Sequence, residues 1–564
     1  MTDGLHELPV LALDCQAGGS TPAHGDLLEL GWATCTGGGL VGPVRSRWIV
    51  PRTQRPVPWA VRDLTGWTES CLAESVDERQ AWAELRADLA PAAPAGAPTV
   101  IHFARFELRF LHDLCRRVDC SECLPLDVIC LHTIAARLFP DLPRRNIRAL
   151  AGYLGHSPGL ARRAAGHVEA TAFIWRALLP RLEQRSVDTW SALKAWLDEP
   201  APRARRARPV FPFASDRRRA LPDGPGVYRF LRRSGDVLYV GKAASLKKRV
   251  ASHFRGRVPA NERALELLTQ VHEVHPTQTA SLVEAALLET DEIKRLDPPY
   301  NVQLRSAGRQ AWFASRDLRQ AAPAPDAAHP IGPLPSEHAL LPLAALSLLA
   351  DGVNATPGLC AAALAVPPAL SPPPSLFDQG FRDFVADHLG GVEPTAAARL
   401  ARAARTLWLL RGRADAVAVD TGTDDDARAA PTEWDLARVR RRLERNLVQS
   451  GLLVRRARFL SLLADATVAF RERDMTKARG LLISAGNINE RRELEHVMAI
   501  TGWPHPRSPT HHERQACFDA TVYDRMRVLL TEIHRVQHEG GEAALRVGAH
   551  ALPPERLARV MLTI

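Results

Sequence analysis

What the chain lacks narrows it before any motif is read. It has no run of eighteen apolar residues, the length a helix needs to cross a bilayer. Its N-terminus shows no charged-then-apolar export signal. A soluble, cytoplasmic protein with no membrane partner is therefore expected. Nine cysteines are spread over 564 residues, too thin a supply for a disulfide frame, so free thiols are expected. Cys115, Cys120, Cys123 and Cys130, with His112 and His132 beside them, have a spacing that permits a zinc or iron–sulfur site. Cys115 and Cys130 also fall in core-like stretches, where a free thiol is readily buried. Lysine is scarce beside arginine and alanine is abundant, a coding bias and not a function. The net charge of +10 and sequence pI near 9.4 point to a polyanionic partner, nucleic acid first. A chain of this length holds several domains.

The informative residues lie between Gly226 and Asn301. Gly226-Val227-Tyr228 is followed by Tyr239-Val240-Gly241-Lys242, then by Ser245 to Phe254, and finally by a stretch holding Glu289 and Asn301. VYRFLRR and DVLYVGK flank Ser234-Gly235-Asp236 and read as a hairpin that puts Tyr228 and Tyr239 on paired strands. Leu246 to Phe254 has helical spacing and displays Lys247, Lys248 and Arg249. A second helix, Ser281 to Arg295, carries Glu284 and Glu289, and Pro298-Pro299 stops it.

Hydrolysing a phosphodiester needs a metal ligand, a group that handles water, and cations around the phosphate. Glu289 suits Mg²⁺ or Mn²⁺, since one carboxylate with waters and phosphate oxygens is a common way to hold such an ion. Tyr228, Tyr239 and His253 are candidates to position or deprotonate the water. Lys242 and Arg249 can neutralise developing charge, with Lys247 and Lys248 as further DNA contacts. Taken singly, these residues would read as strand core and solvated helix face. Their order and spacing favour the site.

The ordered set resembles the GIY-YIG nuclease domain, and within it the UvrC and Cho excision endonucleases. The resemblance implies that Tyr228 and Tyr239 surround the water nucleophile and that Lys242 and Arg249 act on the phosphate. It also implies that Glu289 binds the single metal and that Asn301 belongs to the site. UvrC-like domains usually carry tyrosine where this chain has His253. A histidine there leaves the reaction class intact but reopens the identity of the base, for which a near-neutral pKa is apt.

Residues 8 to 190 alternate strand-like and helix-like runs. LPVLALDCQ, LLELGWATC and RSRWIV are strands, PTVIHFARFELRFL is an apolar segment, and Asn146 to Leu182 is a helical close. With the Pro58–Thr68 stretch, this order resembles the DnaQ-type (DEDD) 3′–5′ exonuclease fold. That chemistry uses two metals about 4 Å apart on carboxylates. Here Asp14 is intact, Gln16 replaces a glutamate, Phe103 an asparagine and Glu107 an aspartate. The last motif falls on Arg162 and His167. Such a set suits hard Mg²⁺ poorly, so a degenerate site is expected. Two other readings stay open: a single softer ion on Asp14, Glu107 and His167, or a DNA-structure-binding role.

Between Pro200 and Ala220 seven arginines stand against one aspartate among prolines, an exposed linker able to track a DNA backbone. Past Asn301 the sequence remains UvrC/Cho-like. A Gly-Pro turn (Gly332-Pro333) is expected to introduce a helix, and AVPPALSPPPSLFD a flexible junction. Arg438 to Arg458 is an arginine-faced helix suited to DNA, to protein docking or simply to solvent, and ATVAFRE and GLLISAG are possible strands. Neither the acidic triad nor the Gly-rich hairpins of UvrC's second half are present.

The expected class is α/β multidomain. An RNase H-like (DnaQ-type) exonuclease fold spans 1–190, an Arg/Pro-rich linker 191–219 and a small GIY-YIG fold 220–310. A UvrC/Cho-like extension with its Ala/Pro-rich junction spans 311–374, and a mostly helical C-terminal domain 375–564. The expected function is a single incision in damaged or structured DNA, with UvrA/UvrB-type partners. The alternatives are a 3′–5′ exonuclease and a non-catalytic DNA-binding or recruitment module.

Overall fold

The computed structural model describes residues 4–53, 55–89, 96–119, 124–156, 162–200, 210–255, 261–305, 310–390, 395–417, 434–503 and 509–561. Two compact units are present, Met1–Leu282 with Pro298–Val302, and Val283–Asp297 with Gln303–Ile564. Among the described residues no helix is long and apolar enough to cross a membrane.

The first unit begins with a sheet of β1 (Val10–Ala17), β2 (Leu27–Thr36), β3 (Gly39–Trp48), β4 (Ala97–Ile101) and β5 (Leu126–Cys130), in the order β3-β2-β1-β4-β5. β2 runs antiparallel to β1, and β4 parallel to it. This is the α/β class expected of the N-terminal third. β1 is central and buried on both faces. Its residues Val10 and Ala12 meet the helix Ala164–Glu183, while Leu11, Leu13 and Cys15 meet the helix Ala104–Val118. Because successive side chains alternate between faces, Asp14 and Gln16 share the face of Val10 and Ala12. Gly31 of β2 is required where it stands, because a Cβ there would lie 2.9 Å from the Cβ of Ala164.

The expected helical close is two helices, Ile147–Leu154 and Ala164–Glu183. The first is capped by the Asn146 side chain and stopped by Gly155 at φ 101°, the usual left-handed terminus. Cys115 is a buried free thiol on the helix Ala104–Val118, and Cys130 a free thiol ending β5. Cys120 and Cys123 lie outside the described residues.

The smaller sheet of this unit, β7-β6-β8, comprises β6 (Gly226–Leu231), β7 (Val237–Ala243) and β8 (Glu273–Gln278). The hairpin turns where expected, with Gly235 at φ 90° and Ser234 Oγ donating to Asp236 at 2.7 Å. β8 had no counterpart in the sequence reading. The linker expectation needs correction at both ends: Trp190–Asp198 is helical with Leu193 buried, and Phe213 sits in the core beneath β6. Residues 201–209 lie outside the described residues.

A seam joins the two folds of this unit. Glu266, on the helix Glu262–Gln270, accepts from Asn146 Nδ2 at 2.6 Å and from Tyr300 Oη at 2.6 Å. Tyr153 stacks on His272 at 5.6 Å between ring centres. Gly152 faces Gln270 so closely that a Cβ would fall 1.9 Å from its Oε1.

The second unit contains three parts. One is a small sheet, β10-β9-β11, from β9 (Trp312–Ala314), β10 (Ala321–Ala322) and β11 (Ile331–Leu334). Gly332 and Pro333 belong to the edge strand β11, not to a turn opening a helix; an edge tolerates a residue without an N–H. The second part is a helical cluster in which four helices between Leu341 and Val417 surround the long helix Leu436–Leu463. The end of the supposed flexible junction begins one of these, Pro374–His388, which buries Phe377 completely. Pro374 opens that helix, where proline's fixed φ is an advantage.

The third part is an antiparallel sheet, β14-β13-β12-β15-β16. It is built from β12 (Thr467–Arg471), β13 (Ala478–Ser484), β14 (Asn487–Leu494), β15 (Glu542–Val547) and β16 (His550–Leu552). The sequence suggested only β12 and β13. The region expected to be mostly helical thus ends in an α/β layer, with the helix Ala520–His538 packed into its core.

Candidate active site

β6 and β7 pair so that Tyr228 faces Gly241 and Phe230 faces Tyr239. A Cβ on Gly241 would stand 2.6 Å from Tyr228 Oη, so this glycine is what lets the phenol lie flat across the neighbouring strand. The helix Leu246–His253 begins at Ser245, whose side chain accepts from the Lys248 amide at 3.2 Å and also bonds Asp223. Leu246 and Val250 are buried on one side of it. Lys247, Lys248 and Arg249 stay exposed on the other, and His253 turns back toward the strands.

Tyr228 Oη and His253 Nε2 share a hydrogen bond of 2.8 Å. Tyr228 is wholly buried, while His253 and Tyr239 are half-buried, with ring centres 6.3 Å apart. Burial, helped by the nearby positive charge of Arg249, lowers the His253 pKa to about 4. The ring is therefore neutral at pH 7 and keeps a lone pair. Lys242 is half-buried on β7.

Asn301 is buried and clamps β7. Its Oδ1 accepts from Val240 N and its Nδ2 donates to Val240 O, both at 2.9 Å. That fixes the backbone between Tyr239 and Gly241, a geometric duty that the motif alone did not reveal. The first unit thus brings together Tyr228, Tyr239, His253 and Asn301, with Lys242 and Arg249 on the same two elements.

Glu289 lies half-buried on the helix Leu282–Leu296, which from Val283 onward belongs to the second unit. That helix is anchored there by three ion pairs: Glu284–Arg479 at 2.9 Å, Asp291–Arg525 at 2.8 Å and Lys294–Asp524 at 2.7 Å. Val283 and Leu287 enter the core beside them. Sequence reasoning missed Arg479, Asp524 and Arg525 because their partners lie some two hundred residues away. As a donor, one half-buried carboxylate fits a hard divalent cation that retains most of its waters.

The N-terminal site is assembled differently. His167 Nδ1 lies 3.2 Å from Asp14 Oδ2, and Glu107 accepts from the Cys15 amide at 3.1 Å. Burial first, then the neighbouring charge of Asp14, pushes the Glu107 carboxyl well above the usual carboxylate range. Gln16 Nε2 donates to the Arg162 carbonyl at 2.5 Å, while its Oε1 is buried with no partner among the described residues. Burial lowers the His102 pKa to about 3. Phe103 is half-exposed and meets His132 edge-on at 5.3 Å. Among the described residues no group of three or more His, Cys, Asp or Glu could hold a metal ion. The amide of Gln16 is a poorer donor to a hard divalent ion than the carboxylate a two-metal centre uses.

A buried tyrosine and a neutral histidine thus stand beside exposed cations on a small α/β fold. Residues 224–302 match the family of UvrC-like GIY-YIG domains, and the chain carries such an endonuclease domain. A protein of Mycobacterium tuberculosis (strain CDC 1551 / Oshkosh), named as a candidate bifunctional exonuclease/endonuclease, is 27% identical over 324 residues, 56% of this chain and 47% of that protein. UvrABC system protein C of Rhizobium meliloti (strain 1021) is 51% identical over 85 residues, 15% of this chain and 12% of that protein.

Among solved structures, the GIY-YIG N-terminal endonuclease domain of UvrC from Thermotoga maritima, bound to magnesium, is 31% identical. It covers 15% of this chain and 93% of its own, with a TM-score of 0.14. E. coli Exonuclease I in complex with a dA16 oligonucleotide is 16% identical, with 32% and 42% coverage and a TM-score of 0.28. The chain spans less than half the length of these two curated relatives.

Proposed function

We propose that the chain is a metal-dependent DNA endonuclease that makes one incision in damaged or structured DNA, as an excision-repair nuclease does. The observation that carries this reading is the 2.8 Å bond between Tyr228 and a neutral His253 within the GIY-YIG hairpin. When Nε2–H donates to Tyr228, Nδ1 is left as a proton acceptor. The water oxygen bonds phosphorus, its proton passes to His253 Nδ1, and the opposite P–O bond breaks, the leaving oxygen taking a proton from solvent. Half-buried Tyr239 orients the water, and Lys242 and Arg249 offset the charge gathering on the phosphate. Asn301 keeps Tyr239 in register. Glu289 would hold Mg²⁺ or Mn²⁺, which supplies Lewis acidity and charge neutralisation at the phosphate. UvrA/UvrB-type proteins are the proposed loading partners.

We assign the N-terminal fold a supporting role without two-metal chemistry, since Gln16 offers a neutral amide where that chemistry uses a carboxylate. The rival is 3′–5′ resection through that fold, favoured by the naming of the mycobacterial relative. One assay separates them: a duplex with a central bulky adduct, labelled at each end in turn, with Mg²⁺ or Mn²⁺ and with or without UvrA and UvrB. The expected product is an internal nick lost in Glu289→Ala and kept in Asp14→Ala. A ladder receding from the 3′ end and lost only in Asp14→Ala would reverse the assignment.

A further inference from the structure

The second unit contains a hollow of about 360 Å³ between the helices Ala396–Val417 and Leu436–Leu463 and the segment around β11. Its floor is aliphatic, made by Leu343, Leu400, Leu447 and Val448, and Trp408 stands half-exposed at its side. Around it are four arginines, Arg316, Arg405, Arg455 and Arg458, and no lining residue is acidic. None of the four has a hydrogen-bond or ion-pair partner among the described residues. Arg455 and Arg458 are three apart, about one turn on the same helix face.

An apolar floor ringed by cations that are unpaired among the described residues fits a ligand that is apolar at its centre and polyanionic around it. An ordinary nucleobase meets that description poorly, because its polar edges would be buried against aliphatic carbon without partners. We propose that this hollow receives a bulky apolar adduct on a DNA base, with the flanking phosphates held by the four arginines. The proposal rests on the reading of the chain as a nuclease of damaged DNA, and gives that reading a lesion class: planar or branched hydrocarbon modifications, bound by burial and not by base-edge recognition. Trp408 offers the adduct a stacking face, and each arginine releases counterions from the phosphate it meets.

The test uses the full chain without divalent cation, so that no cutting occurs. A labelled duplex with one pyrene-modified deoxyuridine and the same duplex unmodified are titrated by anisotropy across a salt series. Wild type is expected to bind the pyrene duplex about tenfold tighter, the equivalent of roughly 1.4 kcal/mol. Ala401→Trp, which fills the hollow from its exposed rim, should bring the two duplexes to equal affinity. Arg455→Gln with Arg458→Gln should weaken both duplexes and reduce the salt slope by about 1.8.

Equal binding of both duplexes by wild type would overturn the proposal. So would a pyrene preference that survives Ala401→Trp. A synthetic Leu/Glu-rich helical peptide that displaces pyrene DNA from wild type but not from Ala401→Trp would support occupancy of the hollow by an apolar anion. The same peptide binding at the hollow while pyrene DNA shows no preference would make it a protein-docking site and overturn the DNA assignment. Nicking by wild type and by Glu289→Ala is measured separately with Mg²⁺, so failure of the pocket leaves the nuclease reading standing, and the reverse holds too.

Discussion

At the scale of single residues, the proposed chemistry centres on His253. A histidine at its ordinary pKa of about 6.5 would lose its lone pair over a range where most nucleases still work. Burial and Arg249 bring this one to about 4. The nicking rate should therefore hold from pH 7 down to about pH 5 and fall only as pH approaches 4, where the ring gains a proton. An acid limb centred near 6.5 in single-turnover rates would show that His253 is not the titrating base. The stability effect has the same direction. The unfolded chain takes up the proton near 6.5 and the folded chain near 4, so His253 contributes stability that is lost as pH falls through that window. His102, lowered to about 3, adds to it. Tyr228→Phe should lower the rate by about tenfold to a hundredfold, the range of a general-base interaction partly lost, with little change in substrate affinity.

At the scale of elements, the decisive one is the helix Leu282–Leu296, which carries Glu289 and is held by Lys294–Asp524, a pair with 5% and 1% of its side chains exposed. Asp524→Ala would strand a buried ammonium and should cost about 3–5 kcal/mol, read as a fall in melting temperature. Lys294→Met with Asp524→Leu should recover most of that loss. If the double variant were as unstable as the single, the damage would come from lost packing and not from the unpaired charge.

None of these anchors was legible in the sequence. Glu284 and Arg479 are 195 residues apart, and no local pattern couples them. The hairpin β6–β7 was legible because its alternation, its Gly-containing turn and its tyrosines are all local. So was β1, whose apolar run Val10–Leu13 announces burial on both faces. β8, β14, β15 and β16 escaped: HPT interrupts the first, the charged ERRE run marks the second as an edge, and the last two are short. Gly332-Pro333 and the run of prolines before Phe377 looked like breaks because proline is read as punctuation. At a sheet edge and at the first position of a helix it is compatible with order.

At the scale of the whole chain, catalytic parts and their supports are distributed across the sequence. The tyrosines and His253 belong to one compact unit, and Glu289 is anchored in the other. The arginine excess behind the net charge of +10 includes side chains with structural duties, such as Arg479 and Arg525, so net charge overstates what is left for DNA. Replacing Arg455 and Arg458 should alter salt dependence far more than their share of the total charge suggests.

The seam at Asn146 bears on how this protein can be shortened. A chain begun at residue 210 would keep every residue assigned to the incision and would look, on paper, like a self-sufficient enzyme. It would also leave Glu266 without the Asn146 amide, next to Tyr300 and one residue from the asparagine that clamps the strand of Tyr239. Such a truncation should turn over more slowly while binding DNA normally. The N-terminal fold would then be a brace that no motif search for nuclease residues could have flagged.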